Sequence, residues 1–400
     1  MRKGGSMVSR RIGLIKTSVT LAINAKAKQM KKEGIDVVGF GAGEPDFDTP
    51  SHVKEAAKEA INDGFTKYTP ASGTKELKQA ICEKFKKDNN LIYKESEIIV
   101  SCGAKHSLFN AILTLCEEGD EVILPSPYWV SYPEMIKASG AKVVVAETEE
   151  DGFKLTPSKL KKVIRKKTKM LIINSPSNPT GIVYSEEELR DIAEILVSNN
   201  ILCISDEIYE KIIYEDRHIS IASLDDRIKE QTVVVNGVSK AYAMTGWRIG
   251  YAAAKEEIIK AMGNLQSHST SNPSSISQVA ALKALKGEQE CVDNMVKEFK
   301  KRRDFMVDRI NSIKGIGCIK PKGAFYVFVS IKDILGKKFS SFSINSALEF
   351  SELLLENFKV AVVPGEAFGR KDYIRLSYAT SLDNIKKGLE RIEEFINRLN

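Results

Sequence analysis

The chain has 400 residues, of which 42% are hydrophobic and 28% are charged, and its formal net charge is +7 at pH 7. This length predicts two domains or one large one, and the composition is that of an ordinary globular protein. Basic and acidic residues are interspersed, and the basic runs 161–169 and 300–303 fall in predicted helices, so we expect solvated helix faces and no nucleic-acid partner.

Compartment signals are few. No apolar stretch is long enough to span a bilayer, and residues 1–11 are basic but lack the apolar region of a signal peptide. The six cysteines, at positions 82, 102, 116, 203, 291 and 318, show no C-x-x-C pairing. They predict reduced core residues in a cytoplasmic protein that has no metal site and no membrane partner.

The N-terminal part of the chain begins with a predicted extended arm and a helix at 21–32, and a short strand follows at 35–40. Thr49 and Pro50 have the pattern of an N-cap followed by proline at the first helical position. They predict a helix that runs to about residue 63.

From residue 97 the chain alternates strands and helices, the pattern of a mostly parallel sheet covered by helices on both faces. One of these helices, 185–198, opens with a capping box formed by Ser185 and Glu188. Seven strands are predicted, at 97–101, 121–124, 142–146, 169–174, 201–205, 232–236 and 248–253.

A long charged helix begins near residue 291 and leads into a second α/β unit. Its predicted strands are 324–329, 360–363 and 373–378, and its helices are 344–357 and a last one from 383. We expect a large domain at 48–290 and a smaller domain at 291–400, with residues 1–47 forming an arm and part of the smaller domain.

The stretch 236–251 is the strongest chemical signal, with the sequence NGVSKAYAMTGWRIGY. Lys240 follows a buried β-branched strand, where partial desolvation lowers the pKa of an amine and makes it a nucleophile toward carbonyls. Arg248 can bind an anion beside it in a bidentate manner. The alternative from the spacing alone is a surface turn with two solvated cations.

Ligands of open α/β sheets bind at the carboxyl ends of the strands, so the loops at those ends are informative. The loop 101–106, SCGAKH, is small and precedes a helix N-terminus, which suits a phosphate. Trp129, after the next strand, can stack on a flat heteroaromatic ring or serve as a core aromatic.

Two further strand ends carry polar residues. The segment 174–181, NSPSNPTG, is a rigid turn in which an X-Pro bond can be cis, and it presents the amide of Asn178 to a ring hydroxyl. Asp206 ends an apolar strand and therefore needs a partner. A pyridinium nitrogen would suit it, and the alternative is a helix N-cap.

These residues together resemble the fold-type-I, class I aminotransferases. The stretch GVSKAYAMTGWRIG fits the lysine signature of that family at every restricted position, and the resemblance extends along nearly the whole chain. It is closest to the bacterial aspartate aminotransferases of subgroup Ib. The other matching segments are GAGEPDFDTP, KYTPASG, SPYWVSYPEM, NSPSNPTG, SDEIYE, PKGAFYVF, VVPGEAFG and YIRLSYATS.

The resemblance implies pyridoxal 5′-phosphate as the cofactor. In this family pattern Lys240 forms the covalent link to the cofactor and acts as general base and acid. Asp206 pairs with the pyridine nitrogen, Asn178 and Tyr209 hold the ring hydroxyl, and Trp129 stacks on the ring. The residues implied to hold the phosphate are Gly103, Ala104 and Lys105 through their backbone, Ser239 and Arg248. Tyr68 is implied to reach the phosphate of a neighbouring subunit, and hence a homodimer.

The family pattern also implies how a dicarboxylic substrate binds. Gly43 and Arg375 hold the α-carboxylate, next to Trp129 and Asn178. Arg375 also stands out in its predicted strand, where alternation places it opposite two apolar residues and a solvated face is the alternative. The residues implied to hold the distal carboxylate are Lys105, Ser18 and Thr20.

The expected activity is transamination of L-aspartate with 2-oxoglutarate by a ping-pong mechanism. Alternatives are an enzyme that also accepts prephenate or an aminotransferase for alanine or aromatic amino acids. Lys16 resembles a basic residue associated with prephenate, and a plain surface lysine is the alternative for it. A β-lyase on the same fold and a non-enzymatic regulator are the other classes. The DNA-binding relatives carry an extra helix-turn-helix domain, for which the short stretch ahead of residue 41 leaves no room.

Overall fold

The structure is a computed structural model that describes residues 7–9, 11–17, 19–215 and 217–400. None of the described helices is long and apolar enough to cross a membrane. In chain order the α-helices are α1 (Val19–Lys32), α2 (Ser51–Asn62), α3 (Lys75–Asn89), α4 (Ala104–Leu115), α5 (Ser131–Ser139), α6 (Pro157–Val163), α7 (Glu186–Ser198), α8 (Asp226–Glu230), α9 (Glu256–Ser267), α10 (Ser275–Lys286), α11 (Glu290–Ser312), α12 (Ala347–Phe358) and α13 (Leu382–Asn397). The strands are β1 (Val38–Gly39), β2 (Ile98–Ser101), β3 (Glu121–Ser126), β4 (Lys142–Glu147), β5 (Thr168–Asn174), β6 (Leu202–Asp206), β7 (Thr232–Gly237), β8 (Gly250–Ala253), β9 (Gly317–Cys318), β10 (Tyr326–Ser330), β11 (Lys338–Phe339), β12 (Phe342–Ser343), β13 (Val360–Ala361), β14 (Val363–Pro364) and β15 (Tyr373–Ser377).

The largest sheet has seven strands in the order β2-β8-β7-β6-β5-β3-β4. Strand β8 is antiparallel to both of its neighbours, and the other five adjacent strands are mutually parallel. All seven predicted strands are present, with ends shifted by two residues or fewer. The prediction of a mostly parallel, seven-stranded sheet is confirmed.

Helices cover both faces of this sheet because its central strands are apolar on both sides. In β5 the side chain of Ile172 packs in the same hydrophobic cluster as α4 and α5. Its neighbours Leu171 and Ile173 pack in a second cluster, together with residues of α7. Successive side chains of a strand point to opposite faces, so an unbroken apolar run is buried on both.

The parallel register brings polar strand ends to one edge of the sheet. Asn174, the last residue of β5, is paired with Asp206, the last residue of β6, and Asp206 is level with Val235 of β7. The chain leaves β7 and reaches Lys240 three residues after Gly237. The predicted functional residues therefore meet at the carboxyl ends of the central strands.

A second sheet of four antiparallel strands has the order β14-β15-β10-β9. The prediction of one strand at 360–363 is wrong, because β13 pairs in parallel with β1 whereas β14 pairs with β15 of the four-stranded sheet. The β1–β13 pair joins the N-terminal part of the chain to its C-terminal part. The domain boundaries at 47/48 and 290/291 stay a prediction.

The two predicted helix caps have different outcomes. Ser185 Oγ accepts a hydrogen bond from the backbone N–H of Glu188 at 3.2 Å, and Glu188 Oε2 accepts one from the N–H of Ser185 at 2.7 Å, so this capping box is confirmed. The N-cap prediction for Thr49 is wrong, because Pro50 occupies the cap position of α2. The buried Thr49 hydroxyl instead donates to the Ala243 carbonyl at 2.8 Å.

All six cysteines are free thiols, as predicted. The expectation that they are core residues holds for Cys116 and Cys203, which are buried. The other four are partly exposed.

Candidate active site

A cavity of about 680 Å³ lies at the carboxyl ends of β5, β6 and β7. Most of the residues singled out in the sequence line it. They are Gly43, Ala104, Lys105, Trp129, Asn178, Asp206, Tyr209, Ser239, Lys240, Arg248 and Arg375.

Lys240 lines this cavity. Its Nζ donates a hydrogen bond to the Gly43 carbonyl at 2.5 Å. Burial lowers the pKa of Lys240 to about 8, and the nearby cations Arg248, Arg375 and Lys105 act in the same direction. A much larger fraction of this amine is therefore neutral near neutral pH than for an ordinary lysine, as a nucleophile requires.

Asp206 is a buried carboxylate, with 3% of its surface exposed. Its Oδ2 accepts a hydrogen bond from the Tyr132 hydroxyl at 2.6 Å, and its Oδ1 accepts one from the Ile208 N–H at 3.2 Å. Burial raises the pKa of Asp206 to about 6, against the effect of these hydrogen bonds and of Lys240. None of the described cationic side chains forms an ion pair with it. It does not cap an α-helix, because a turn follows β6.

An anion cradle lies where β2 leads into α4. Gly103 precedes the helix with a φ of 91°, and a Cβ there would lie 2.2 Å from Arg248 Nη2. Only glycine allows this approach. Arg248 is fixed by hydrogen bonds that it donates to the carbonyls of Thr245 at 2.8 Å and Cys102 at 3.2 Å. A guanidinium beside the N-terminus of a helix suits a phosphate.

Lys105 and Trp129 form another wall of the cavity. The Lys105 Nζ lies 4.9 Å from the centroid of the Trp129 ring. Partial desolvation of the ammonium beside Arg248 lowers the pKa of Lys105, although the residue as a whole is exposed. The Trp129 ring in turn contacts Tyr132 edge-to-face, with centroids 5.3 Å apart.

Arg375 is 3% exposed, which excludes the solvated-face alternative. Its Nη1 donates to Asn178 Oδ1 at 3.0 Å and its Nη2 to the Gly41 carbonyl at 3.1 Å, and the ring of Tyr326 lies 4.3 Å from the guanidinium carbon. Its Nε is buried without a hydrogen-bond partner. None of the described carboxylates pairs with this cation. A buried guanidinium without an anionic partner suits a carboxylate ligand.

Several lining residues were not predicted from the sequence. Tyr132 binds Asp206, the hydroxyls of Tyr209 and Tyr326 lie 2.9 Å apart, and Glu44 accepts a hydrogen bond from Thr245 at 2.7 Å. Tyr132 and Tyr326 fall within matched segments of the family, which is the one signal that could have found them.

Other predicted residues are placed away from the cavity. Tyr68 is 90% exposed and does not line it, and Gly103 lies behind Arg248 rather than on the cavity wall. Ser18 lies outside the described residues, and Thr20 is described by its backbone alone. Lys16 is exposed and does not line the cavity.

Comparisons with known proteins agree with this geometry. The sequence pattern of the family "Aminotransferase class I and II" matches residues 35–392. The chain is 51% identical to an aspartate aminotransferase of Bacillus subtilis (strain 168), over 98% of this chain and 99% of that protein. It is 48% identical to an aspartate/prephenate aminotransferase of Nitrosomonas europaea, over 98% of this chain and 100% of that protein. The crystal structure of the aspartate aminotransferase from Rhizobium meliloti superposes with a TM-score of 0.95 at 46% identity, covering 99% of this chain and 100% of that one.

The architecture is thus that of a fold-type-I transferase, with a lysine, a carboxylate and an arginine gathered at the strand ends. This chain belongs to the class I and II aminotransferases.

Enzymes of this family use pyridoxal 5′-phosphate, and the cavity suits that group in three respects. At the N-terminus of α4 the Arg248 guanidinium packs against Gly103, where a side chain would clash, and it lines the cavity as a cation that suits a phosphate. None of the described cationic side chains pairs with the buried Asp206 carboxylate, and a protonated ring nitrogen would be such a cationic partner. The amine of Lys240 has a lowered pKa and lies in the same cavity.

Proposed function

We propose that this protein catalyses the pyridoxal-phosphate-dependent transfer of the amino group of L-aspartate to 2-oxoglutarate, giving oxaloacetate and L-glutamate. The observation that carries the proposal is that the Lys240 amine, the Asp206 carboxylate and the Arg375 guanidinium face one cavity. The full-length similarity to aspartate aminotransferases supports it.

When bound, the cofactor supplies an aldehyde that reacts with amines and a ring that accepts electrons. Asp206 would hold the ring nitrogen in its protonated form, Trp129 would stack on the ring, and Asn178 and Tyr209 would bind the ring hydroxyl. The groups assigned to the phosphate are the N–H groups of Gly103, Ala104 and Lys105, the Ser239 hydroxyl and the Arg248 guanidinium.

Lys240 has two roles in this proposal. Its amine would hold the cofactor through the aldehyde carbon, and as a free base in the same cavity it would take the α-proton of the substrate and later return a proton. The lowered pKa, about 8, suits both roles, since general acid–base catalysis works best when the pKa is near the working pH.

The substrate would be held by cations at its two ends. The α-carboxylate binds Arg375 and the backbone of Gly43, and the unpartnered Nε of Arg375 gives that carboxylate a donor. The distal carboxylate binds Lys105, with Ser18 and Thr20 of the arm as the assigned hydroxyl donors. Burying this second charge without a cation would be strongly unfavourable.

A homodimer would complete the site. The exposed Tyr68 would reach the cofactor phosphate of the neighbouring subunit, and Ile61 and Phe65 close to it in sequence are also exposed. Sedimentation of the holoenzyme, with cofactor titration of Tyr68→Phe, tests this arrangement. A monomer that binds the cofactor with full affinity would contradict it.

The activity is tested by steady-state kinetics with aspartate and 2-oxoglutarate varied together. Parallel double-reciprocal lines, with oxaloacetate as product, are expected, and intersecting lines would contradict the two half-reactions. The cofactor band should also shift when aspartate is added without an acceptor. Pyruvate and ammonia formed without an acceptor acid would indicate a β-lyase, and a band that does not respond would indicate a non-enzymatic protein.

Acceptance of prephenate is a second candidate, favoured by the similarity to the Nitrosomonas europaea enzyme. Rates measured side by side with aspartate, glutamate, alanine, tyrosine and prephenate decide between one and two physiological substrates. No amino transfer to prephenate with aspartate as the donor would exclude dual specificity.

A further inference from the structure

Tyr132 touches two of the residues assigned to the cofactor ring. It lies in the first turn of α5, is 2% exposed, and donates its hydroxyl proton to Asp206 Oδ2 at 2.6 Å. Its ring meets the Trp129 ring edge-to-face, with an interplanar angle of 80°. One side chain thus contacts both Asp206, which is assigned to the ring nitrogen, and Trp129, which is assigned to the ring face.

The hydroxyl of Tyr132 is the one side-chain donor to the carboxylate of Asp206 among the described residues, and the other donor to that carboxylate is the backbone N–H of Ile208. The titratable groups that face Asp206 are Tyr132 from α5, Lys240 from the loop after β7, and Glu207 and Tyr209 from its own segment. Lys240 and Tyr132 favour the charged carboxylate, whereas burial and Glu207 oppose it.

We propose that Tyr132 is a positioning residue of this enzyme, which holds Asp206 as an oriented anion for the ring nitrogen and holds Trp129 against the ring face. The proposal rests on the proposed function for the identity of the ring. The contact between Tyr132 and Asp206 can be tested without it.

The charge state of Asp206 gives the first measurement, on the apoprotein. The pKa of Asp206 is about 6 in the folded chain against the ordinary value of 3.8, which applies to the unfolded chain. The folded form therefore binds this proton more tightly. The resulting stabilisation is complete below the unfolded pKa and is lost as the pH rises through the folded one. Tyr132→Phe keeps the ring and removes the hydroxyl, so the charged carboxylate of Asp206 loses a hydrogen bond and its pKa in the folded protein rises. The pH range over which the stabilisation is lost, called the pH window below, should therefore end about one to two pH units higher than in wild type.

Two further variants show whether the shift comes from this contact. Tyr184 is another buried tyrosine, which accepts a hydrogen bond from the Leu155 N–H at 2.8 Å and does not line the cavity. Tyr184→Phe should leave the pH window unchanged. In an Asp206→Asn background, adding Tyr132→Phe should not move the window either, because the titrating group has been removed. A window that is the same in wild type and Tyr132→Phe, or one moved equally by Tyr184→Phe, would overturn the proposal.

Cofactor affinity gives the second measurement, by titrating apoprotein with pyridoxal phosphate at pH 7.5. We expect Tyr132→Phe to raise the Kd on the order of 10-fold, as for a lost hydrogen bond to a charged group, with Tyr184→Phe close to wild type. An unchanged Kd for Tyr132→Phe in a wild type that binds the cofactor would refute the positioning role alone. A wild type that does not bind the cofactor would refute the proposed function instead, while the apoprotein measurement would still test the contact.

Discussion

Replacing Lys105 by alanine tests the substrate assignment most directly. Lys105 lines the cavity, and its Nζ lies over the Trp129 ring at 4.9 Å from the centroid, without an ion pair to any of the described carboxylates. The ammonium is therefore available to the distal carboxylate of aspartate. Alanine and tyrosine lack this second carboxylate, so the variant should separate dicarboxylic from other amino donors.

The magnitude follows from the environment of the ammonium. Truncating one partner of a charge pair in a closed site costs roughly 2–5 kcal/mol. The Lys105 side chain is exposed to the cavity in the isolated chain, so the lower end applies. About 2 kcal/mol corresponds to a decrease of about 30-fold in kcat/KM for aspartate. The decrease for alanine should be within about threefold, as for a residue that contributes no charge pair there.

The assay compares kcat/KM for aspartate, alanine and tyrosine in wild type, Lys105→Ala and the control Lys142→Ala. Lys142 is an exposed lysine of β4 that does not line the cavity, and its loss should change none of the three values. Equal losses for aspartate and alanine would refute the reasoning. Lys105 would then act on the cofactor phosphate or the helix end rather than on the substrate.

Three further predictions concern catalysis, substrate entry and stability. Lys240→Ala should fold normally but lose at least about 100-fold in kcat, because both the covalent link and the proton carrier are removed. Near-native turnover of this variant without added amines would contradict the catalytic role assigned to Lys240. Lys28 and Lys31 line the cavity from α1. Replacing both by glutamine should lower kcat/KM for aspartate by about 3- to 10-fold at low salt and little at high salt. Lys32 is on the same helix but does not line the cavity, so Lys32→Gln should have a smaller effect. A loss that does not depend on salt would contradict steering by these charges. Glu210 is buried against Lys84, whose charge lowers the pKa of Glu210 from 4.5 to about 2. The contribution of this ion pair to the stability of the fold is therefore present above pH 4.5 and is lost as the pH falls toward 2. In denaturant unfolding, Glu210→Gln should lose about 3–5 kcal/mol at pH 7, because the lysine stays buried without its partner, and a smaller loss at pH 3. Equal losses at both pH values would contradict the ion-pair explanation.

The sequence alone determined the elements and the chemistry of their ends. β-Branched runs such as 232–235, bounded by turn residues, predicted the strands of the main sheet to within two residues. The same signals placed Lys240 and Asp206 at the carboxyl edge, because polar and turn residues follow each apolar run within a few positions. The capping box at Ser185 was predictable since all of its contacts lie within four residues of chain. Local order of this kind depends on neighbours that the sequence itself supplies.

Only the tertiary structure decided which side chains surround those ends. Tyr132 is 74 positions from the carboxylate of Asp206 that it binds, and Arg375 is 197 positions from Asn178. The Thr49 hydroxyl left its expected cap for a carbonyl 194 positions away. Periodicity in a sequence tells which face of an element is buried but not which element lies against that face. Those partners follow from the strand order, in which β8 inserts antiparallel between β2 and β7, and from the position of α5, whose Tyr132 reaches the last residue of β6.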